Sequence, residues 1–414
     1  MPKKTNVLVL TYWSYKDALI QTYTLPYLKI IFEQLQHGGA IFLVTLEQPH
    51  LAISKSELRD IQQQLAEYNI RLVPLKYHKF GIVSVFMLKL YLLKLLFLIF
   101  VNNISHIHAW CTPAGSLGYI LSSITGVPLI IDSYEPHAEA MVENGTWRKN
   151  GIAFKLLMLF EKLQSKRAIS VIACSAGMKE YAKKKYRVDF VNNFYTKPAC
   201  VDFELFSPEK VMQESAALKT QLSLQDKIVC VYSGKFGGIY LEKEIFDFLK
   251  IAHNYWEEKF HILLLTSTPK EKIFSLATQS GLKTDIITAL FVPHKNIPRY
   301  MGIGDFAINP VKPVPTKRYC TSIKDGEYWA MGLPVVITKN ISEDSEIVKE
   351  NNTGAIIESM DTAGYVSAIK KMDALLTTEN KIAFRNKIRE IAIRRRNFSI
   401  AKEIYKDIYK NIVK

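Results

Sequence analysis

The chain contains 414 residues, of which 48% are hydrophobic and 22% are charged. This length exceeds that of a domain with a single hydrophobic core, and the composition excludes extended disorder. The formal net charge of +15 predicts attraction to polyanions such as anionic lipid headgroups or phosphorylated substrates. The basic residues do not form an RNA-recognition, zinc-finger or helix-turn-helix signature, so we expect no nucleic-acid partner.

The beginning of the chain is typical of a strand rather than of a targeting segment. Its first apolar run, Val7 to Leu10, is too short for a signal peptide. The five cysteines are widely spaced and include no CxxC pair, which argues against a disulfide framework and a structural zinc site. We therefore expect a cytoplasmic protein.

Apolar runs alternate with helical patterns along the chain. The predicted strands are 6–11, 40–46, 70–75, 104–110, 128–132 and 170–174 in the first half, and 227–233, 261–266, 286–292, 305–309 and 334–338 in the second. This alternation predicts an α/β fold of two Rossmann-like, doubly wound domains that face each other across a cleft. We place the first domain at 1–204, the second at 205–396, and a C-terminal helix that packs back onto the first domain at 397–414.

The segment 82–101 is almost entirely apolar and is long enough to span a membrane. Lys89 and Lys94 lie near its centre, which argues against a span. Two interpretations stay open: an amphipathic helix that contacts a membrane surface, and a core helix of a large domain. The first interpretation, together with the net charge, predicts a peripheral position on the inner face of the cell membrane.

A glycine-rich loop, Ser233 to Gly238, follows the first predicted strand of the second half. Its glycines allow the backbone to approach a phosphate closely. The loop lacks the spacing of a P-loop and of the GxGxxG motif, so the sequence predicts neither a Walker ATPase nor a typical dinucleotide site.

A predicted helix that begins near Asp325 has the features of an anion site. Thr321 and Ser322 are favourable N-cap residues, and Lys324 lies at the same helix start. Free N–H groups and the helix dipole attract anions there, and Glu327, one turn inside, can accept hydrogen bonds from sugar hydroxyls. We predict a ligand with both phosphate and polyol character. An ordinary capped amphipathic helix is the alternative explanation of this pattern.

Three segments stand in a defined order along the chain: VIACSAGMKEY at 171–181, VDFELFSP at 201–208, and KDGEYWAMGLPVV at 324–336. In order and spacing they resemble the retaining glycosyltransferases of the two-Rossmann (GT-B) fold, family 4 in particular. The resemblance implies a nucleoside-diphosphate-sugar donor held by the second half, a glycan or lipid-linked acceptor held by the first, and neither metal nor cofactor. The implied activity is hexosyl transfer with retention of configuration, in the synthesis of cell-surface polysaccharide or glycolipid.

The resemblance also implies roles for individual donor-side residues. Glu327 matches the second glutamate of the family's pair, which holds the donor ribose, and Lys235 matches a basic residue placed against the diphosphate. The second cation is either Lys243 or Lys324. The first glutamate of the pair falls at Tyr319, which cannot act as a carboxylate.

Residues near strand ends of the first half are candidates for contact with the reacting sugar and the acceptor. His137 and Glu135 follow a predicted strand and are placed to bind a sugar hydroxyl or to take a proton from the acceptor. His108 shares a strand face with His106, and packing of that face beneath a helix is the alternative. The predicted catalytic residues are His137, Glu135 and Lys235; the donor-binding residues are Gly234, Lys235, Gly237, Ser322, Lys324 and Glu327; and the acceptor-side candidates are Trp13, Tyr15, His108 and Tyr134.

Other classes of protein fit the same residues. A sugar-nucleotide epimerase or a phosphorylase could use this fold with a similar phosphate site. A non-catalytic donor-binding protein is a further alternative, and Tyr319 favours it. The acidic segment Asp202-Phe203-Glu204 is better explained as a turn than as a metal site, so we expect metal-independent transfer.

Overall fold

A computed structural model of the protein describes residues 4–35, 38–79 and 82–411. The chain forms two compact units, which we call the first unit (Met1–Lys197 with Ser399–Lys414) and the second unit (Pro198–Phe398). Residues 198–204, which were predicted to belong to the first domain, lie in the second unit. There the N–H of Val201 donates a hydrogen bond of 2.8 Å to the carbonyl of Arg396.

The first unit is built around a seven-stranded sheet in which all paired strands are parallel. Its strands are β1 Asn6–Leu10, β2 Ile41–Glu47, β3 Ile70–Lys76, β4 Ile104–Trp110, β5 Leu129–Tyr134, β6 Ser170–Ala173 and β7 Phe194–Thr196. Its helices are α1 Leu25–Gln34, α2 Lys55–Ala66, α3 Ile82–Val101, α4 Thr112–Thr125, α5 His137–Glu143, α6 Ile152–Arg167 and α7 Gly177–Tyr186. The strand order is β3-β2-β1-β4-β5-β6-β7.

The second unit repeats this design with a six-stranded parallel sheet. Its strands are β8 Ile228–Ser233, β9 Phe260–Leu265, β10 Ile287–Leu290, β11 Phe306–Asn309, β12 Val335–Thr338 and β13 Gly354–Ile357. Its helices are α8 Pro208–Gln221, α9 Lys243–Trp256, α10 Lys270–Gln279, α11 Ile297–Met301, α12 Ile323–Ala330, α13 Asp344–Asn351, α14 Thr362–Leu376 and α15 Lys381–Arg396. The strand order is β10-β9-β8-β11-β12-β13.

The predicted α/β fold of two Rossmann-like, doubly wound domains is confirmed. Strands β9 and β12 are buried at every residue, as expected for parallel strands covered by helices on both faces. In both sheets the order reverses beside the first strand, between β1 and β4 and between β8 and β11. Doubly wound sheets bind ligands at such a reversal, outside the carboxyl ends of the strands.

The last helix, α16 (Phe398–Asn411), belongs to the first unit from Ser399 onward. It packs under the first sheet, where the hydroxyl of Tyr405 donates a hydrogen bond of 2.7 Å to Asp132. Residues 412–414 of the predicted C-terminal helix lie outside the described residues. Within the ranges that the structure describes, no helix combines the length and apolarity needed to cross a membrane.

Candidate active site

The glycine-rich loop lies directly after β8, at the point where the second sheet reverses its strand order. Gly234, Gly237 and Gly238 have φ angles of 154°, 84° and 64°, which residues with a Cβ atom rarely adopt. The loop therefore depends on glycine for its shape. The loop lies at the carboxyl end of a central strand, where glycine allows the backbone to approach a phosphate closely.

Lys324 packs against this loop from the start of α12. A Cβ atom at Gly234 would lie only 2.3 Å from Cε of Lys324, so any larger residue would displace the lysine. The ammonium of Lys324 donates a hydrogen bond of 2.5 Å to the hydroxyl of Tyr240 and lies 4.1 Å from the centre of that ring. Ser322 is the N-cap residue, in extended conformation, but its side chain makes no capping hydrogen bond. The structure thus brings a cation, a glycine loop and a helix start together.

The other two lysines differ in their surroundings. Lys235 belongs to the glycine loop, its side chain is exposed, and its carbonyl accepts a hydrogen bond of 2.5 Å from the hydroxyl of Tyr232. Lys243 begins α9 and forms an ion pair of 2.7 Å with Asp247, one turn further along. The geometry therefore favours Lys324 over Lys243 as the second cation.

Glu327 lies one turn inside α12, and its side chain is 9% exposed. Its Oε1 atom is 2.9 Å from Nε2 of His294, a residue in the turn after β10. Burial lowers the pKa of His294, but the hydrogen bond and the charge of Glu327 outweigh burial and raise that pKa above its usual value. The imidazole fixes one carboxylate oxygen of Glu327. His294 was not predicted as a site residue, although its position after β10 was an available signal.

A cavity of about 260 Å³ opens at the carboxyl ends of β9 and β10. It is lined by Thr266, Ser267, Thr268, Lys270, Ala289, Leu290 and Phe291. The hydroxyl of Thr268 accepts a hydrogen bond of 3.4 Å from the N–H of Phe236, which connects the cavity wall to the glycine loop. The cavity and the loop therefore form neighbouring parts of one site.

The start of α12 is fixed from below by buried polar contacts. The hydroxyl of Tyr328 accepts a hydrogen bond of 2.8 Å from the N–H of Ser233, at the end of β8. Asp325 is fully buried and accepts a hydrogen bond of 2.7 Å from the side chain of Asn309, at the end of β11. These contacts hold Lys324 and Glu327 at a defined height above the sheet.

In the first unit, the structure brings Glu135 and His137 together after β5. Oε1 of Glu135 lies 3.1 Å from Nδ1 of His137, and the two side chains are 29% and 22% exposed. The hydroxyl of Thr112 donates a hydrogen bond of 2.9 Å to the carbonyl of Glu135. A partly exposed carboxylate and imidazole in contact can bind a hydroxyl group and move its proton.

Three acceptor-side candidates are corrected by the structure, because their side chains are buried. His108 is fully buried, with Nδ1 2.8 Å from the hydroxyl of Tyr409 on α16, so the strand face packs beneath a helix. Tyr134 is fully buried against Ser165, and Tyr15 is 6% exposed. Trp13 is half-buried and is the one candidate of the four whose side chain a ligand could touch.

The acidic segment before the second sheet is a turn, as predicted. Oδ1 of Asp202 accepts hydrogen bonds from the N–H groups of Glu204 (2.9 Å) and Leu205 (3.1 Å). Among the residues that the structure describes, no group of three or more His, Cys, Asp or Glu side chains is arranged to hold a metal ion.

Comparison with known proteins gives a family match over part of the chain and a fold for the whole of it. Residues 227–373 match the family model described as "Glycosyl transferases group 1". No curated protein matches the sequence. The structure is similar to a glycosyltransferase from Rickettsia africae ESF-5, with 15% identity, 100% of both chains covered and a TM-score of 0.73. It is also similar to HepE of Anabaena in complex with UDP, with 15% identity, 98% of this chain and 100% of that chain covered and a TM-score of 0.72.

A third similar structure is a sucrose-phosphate synthase from Thermosynechococcus elongatus, with 14% identity, 99% of both chains covered and a TM-score of 0.70. Likeness at this level of identity establishes the fold, which is the GT-B fold of two Rossmann-like domains. The family match covers β8 to α14, the part of the chain that carries the glycine loop and α12. Fold and family match together support a glycosyltransferase.

Proposed function

We propose that this protein is a retaining, metal-independent hexosyltransferase that binds a nucleoside-diphosphate sugar in its second unit. The observation that carries the proposal is the packing of Lys324 against Gly234, which places a cation beside the glycine loop at the strand-order reversal. This arrangement lies inside the region that matches the group 1 glycosyltransferases. We assign the protein to family 4 of these enzymes on the resemblance of its three sequence segments.

Each part of the donor has a matching feature in the second unit. The diphosphate would meet the glycine loop, Lys324, Lys235 and the N-terminal end of α12. The base would enter the cavity lined in part by Phe291, which is 74% exposed and available for stacking. Glu327 would accept hydrogen bonds from the ribose hydroxyls while His294 orients it. In support, the similar Anabaena protein has been solved with UDP and with UDP-glucose.

The chemistry requires stabilisation of the negative charge that develops on the leaving diphosphate. Fixed positive groups aimed at that position lower the barrier without a divalent ion. In the first unit, Glu135 and His137 would bind the acceptor hydroxyl and accept its proton as the new bond forms. We propose a glycan or lipid-linked acceptor. The net charge of +15 supports one that is presented at the inner face of the cell membrane during polysaccharide or glycolipid synthesis.

A non-catalytic donor-binding protein is the second candidate. The observation that favours it is Tyr319, which stands where the family has its first glutamate, at the end of a short helical turn, Pro315–Tyr319. A protein of this kind would bind the donor and transfer nothing.

A panel of nucleoside diphosphates and nucleotide sugars, screened by thermal shift, tests donor binding, because a ligand of the native state raises the melting temperature. With the donor identified, Lys324→Met should lower kcat/KM by about 100-fold or more. Lys243→Met is the matched control, since its ammonium pairs with Asp247, and it should leave kcat/KM unchanged. Chelation of divalent ions should have no effect on turnover. Donor binding without release of sugar to any acceptor would support the second candidate instead.

A further inference from the structure

Helix α3 exposes a continuous apolar stripe. Phe86, Leu90, Leu93, Phe97 and Phe100 are 61%, 44%, 64%, 70% and 66% exposed. Their spacing of four and three residues places them on one side of the helix. A row of exposed large apolar side chains on a folded protein indicates a surface that binds a membrane or another molecule.

The opposite side of α3 accounts for its attachment to the fold. Leu95 is fully buried and Ile99 is 3% exposed. The helix is therefore anchored by one face, and its apolar stripe is not required for that anchoring. A core helix of a large domain would bury both faces, so the second interpretation of the segment 82–101 does not describe the exposed side.

Two exposed lysines border the stripe. With about 100° between successive residues of a helix, Lys89 lies on one side of the row that begins at Phe86, and Lys94 lies on the other. Long lysine stems can lie along apolar surface while the ammonium groups reach outward. The segment 82–101 contains no acidic residue, so the charge at the borders of the stripe is uniformly positive.

A second apolar stripe lies on the same layer of the first unit. Helix α4 packs against both α3 and α6, and all three helices connect strands in the same direction across the sheet, which places them on one face. On α6, Ile152, Leu156 and Leu159 are 80%, 44% and 51% exposed. Lys155 and Lys166 of the same helix are exposed as well. The layer thus repeats the combination of apolar side chains and lysines.

We propose that the outer face of α3 and α6 docks onto the surface of a bilayer that contains anionic lipids. Apolar side chains on interfacial helices enter the boundary between headgroups and acyl chains, and lysines at their borders bind anionic headgroups. Charge complementarity favours this occupant over a second copy of the chain, since two such faces would bring lysines against lysines. Docking itself is independent of the proposed function, but its purpose, access to a lipid-linked acceptor, rests on that function.

Vesicle co-sedimentation of the full chain tests the proposal, with vesicles of phosphatidylcholine alone or mixed equally with phosphatidylglycerol. We expect binding to the mixed vesicles, and we expect Leu93→Glu/Phe97→Glu to weaken it at least tenfold, because charged groups enter the apolar boundary unfavourably. The matched control is Met212→Glu/Ile382→Glu, two positions in the second unit that are 66% and 75% exposed. This control should bind as the unaltered protein does.

The lysines are tested separately. Lys89→Gln/Lys94→Gln should weaken binding to the mixed vesicles about tenfold at low salt and leave binding to phosphatidylcholine unchanged. The proposal is overturned if the unaltered chain ignores mixed vesicles, or if Leu93→Glu/Phe97→Glu binds them equally well. It is also overturned if light scattering shows that the unaltered chain is a dimer, that Leu93→Glu/Phe97→Glu is a monomer, and that neither protein binds vesicles. Donor binding, measured by thermal shift, should be equal in all variants and in the unaltered chain. If none of these proteins binds a donor, that result contradicts the proposed function alone and leaves the docking proposal standing.

Discussion

Each unit buries a cluster of charged side chains near the carboxyl ends of its strands, and the two clusters differ in how their charges balance. In the first unit, Asp132 on β5 meets Lys197 just after β7. In the second unit, Asp325 and Asp344 share the single guanidinium of Arg396. The two units therefore bury charged side chains with different balances of positive and negative groups.

The cluster of the first unit pairs one anion with one cation. Oδ1 of Asp132 lies 3.2 Å from Nζ of Lys197, and the two side chains are 0% and 1% exposed. The ammonium also lies 3.6 Å from the centre of the Tyr27 ring, in cation–π contact. Burial raises the pKa of Asp132, but the charge of Lys197, the neighbouring His108 and a hydrogen bond from Tyr405 lower it to about 2.

The cluster of the second unit contains two carboxyl groups, Asp325 and Asp344, but only one cation, Arg396. A guanidinium N–H of Arg396 donates a hydrogen bond to Asp344, and all three side chains are buried. Burial and the charge of Asp344 raise the pKa of Asp325 well above its usual value, and burial also raises the pKa of Asp344. The two carboxyl groups therefore compete for one cation, and the raised pKa of Asp325 favours its neutral form. The first cluster pairs opposite charges, whereas the second, near Lys324 and Glu327, places two carboxyl groups beside one guanidinium.

The largest effect is expected at Lys197. Lys197→Met leaves the Asp132 carboxylate buried without its cation, and such a loss costs about 3–5 kcal/mol of unfolding free energy. Urea denaturation measures it. Lys402→Met is the matched control, because its ion pair of 2.9 Å with Glu33 in the same unit is about half exposed and should contribute less than about 1 kcal/mol. Equal losses in the two variants would remove the distinction between a buried, fixed pair and a surface pair.

The buried clusters were not predicted from the sequence, whereas most strands were. The predicted strands account for every described strand except β7 and β13, because local apolar runs determine where strands form. Those two strands are short, at three and four residues, and lie at sheet edges. The run of β7 is too brief for the alternation pattern to detect, and the run of β13 begins with a glycine, a residue that is depleted in strands.

The parts of the proposed donor site were predictable because each of them is local in sequence. The loop after β8 carries its glycines and Lys235 together, and the start of α12 carries Lys324 and Glu327 within a few residues. The first unit was harder, because burial there depends on contacts between distant residues. His108 is buried by Tyr409, 301 positions along the chain, and a strand-end position does not reveal such a cover.

Asp344→Asn is expected to have the next largest effect. It removes a hydrogen bond between charged groups, which contributes about 1.5–3 kcal/mol. Part of this loss is recovered because Asp325, relieved of its like-charged neighbour, can ionise beside Arg396. We expect a decrease in unfolding free energy of about 2 kcal/mol by urea denaturation. A loss as large as that of Lys197→Met would show that the second carboxyl group cannot replace the first.

Asp325→Asn should have a smaller effect, and the size of that effect should depend on pH. A folded-state pKa above the unfolded value means that stability is full below about pH 4 and falls as the pH rises, because the unfolded chain releases the proton first. Asn keeps the shape without this penalty. The variant should therefore be as stable as the unaltered chain or slightly more stable at pH 8, by about 1 kcal/mol or less, with the advantage absent at pH 4. A variant less stable at pH 8 than at pH 4, relative to the unaltered chain, would indicate that Asp325 is ionised.

The smallest effect is expected at His294, which contacts Glu327, two residues along α12 from Asp325. Its raised pKa means that the pair stabilises the fold below about pH 6.5 and that this contribution is lost as the pH rises through the raised value. Because the histidine side chain is 39% exposed, His294→Gln should cost only about 0.2–1 kcal/mol at pH 6 and less at pH 9. Thermal denaturation at the two pH values measures this difference. A loss that is equal at both would mean that His294 supports Glu327 as a neutral hydrogen-bond donor.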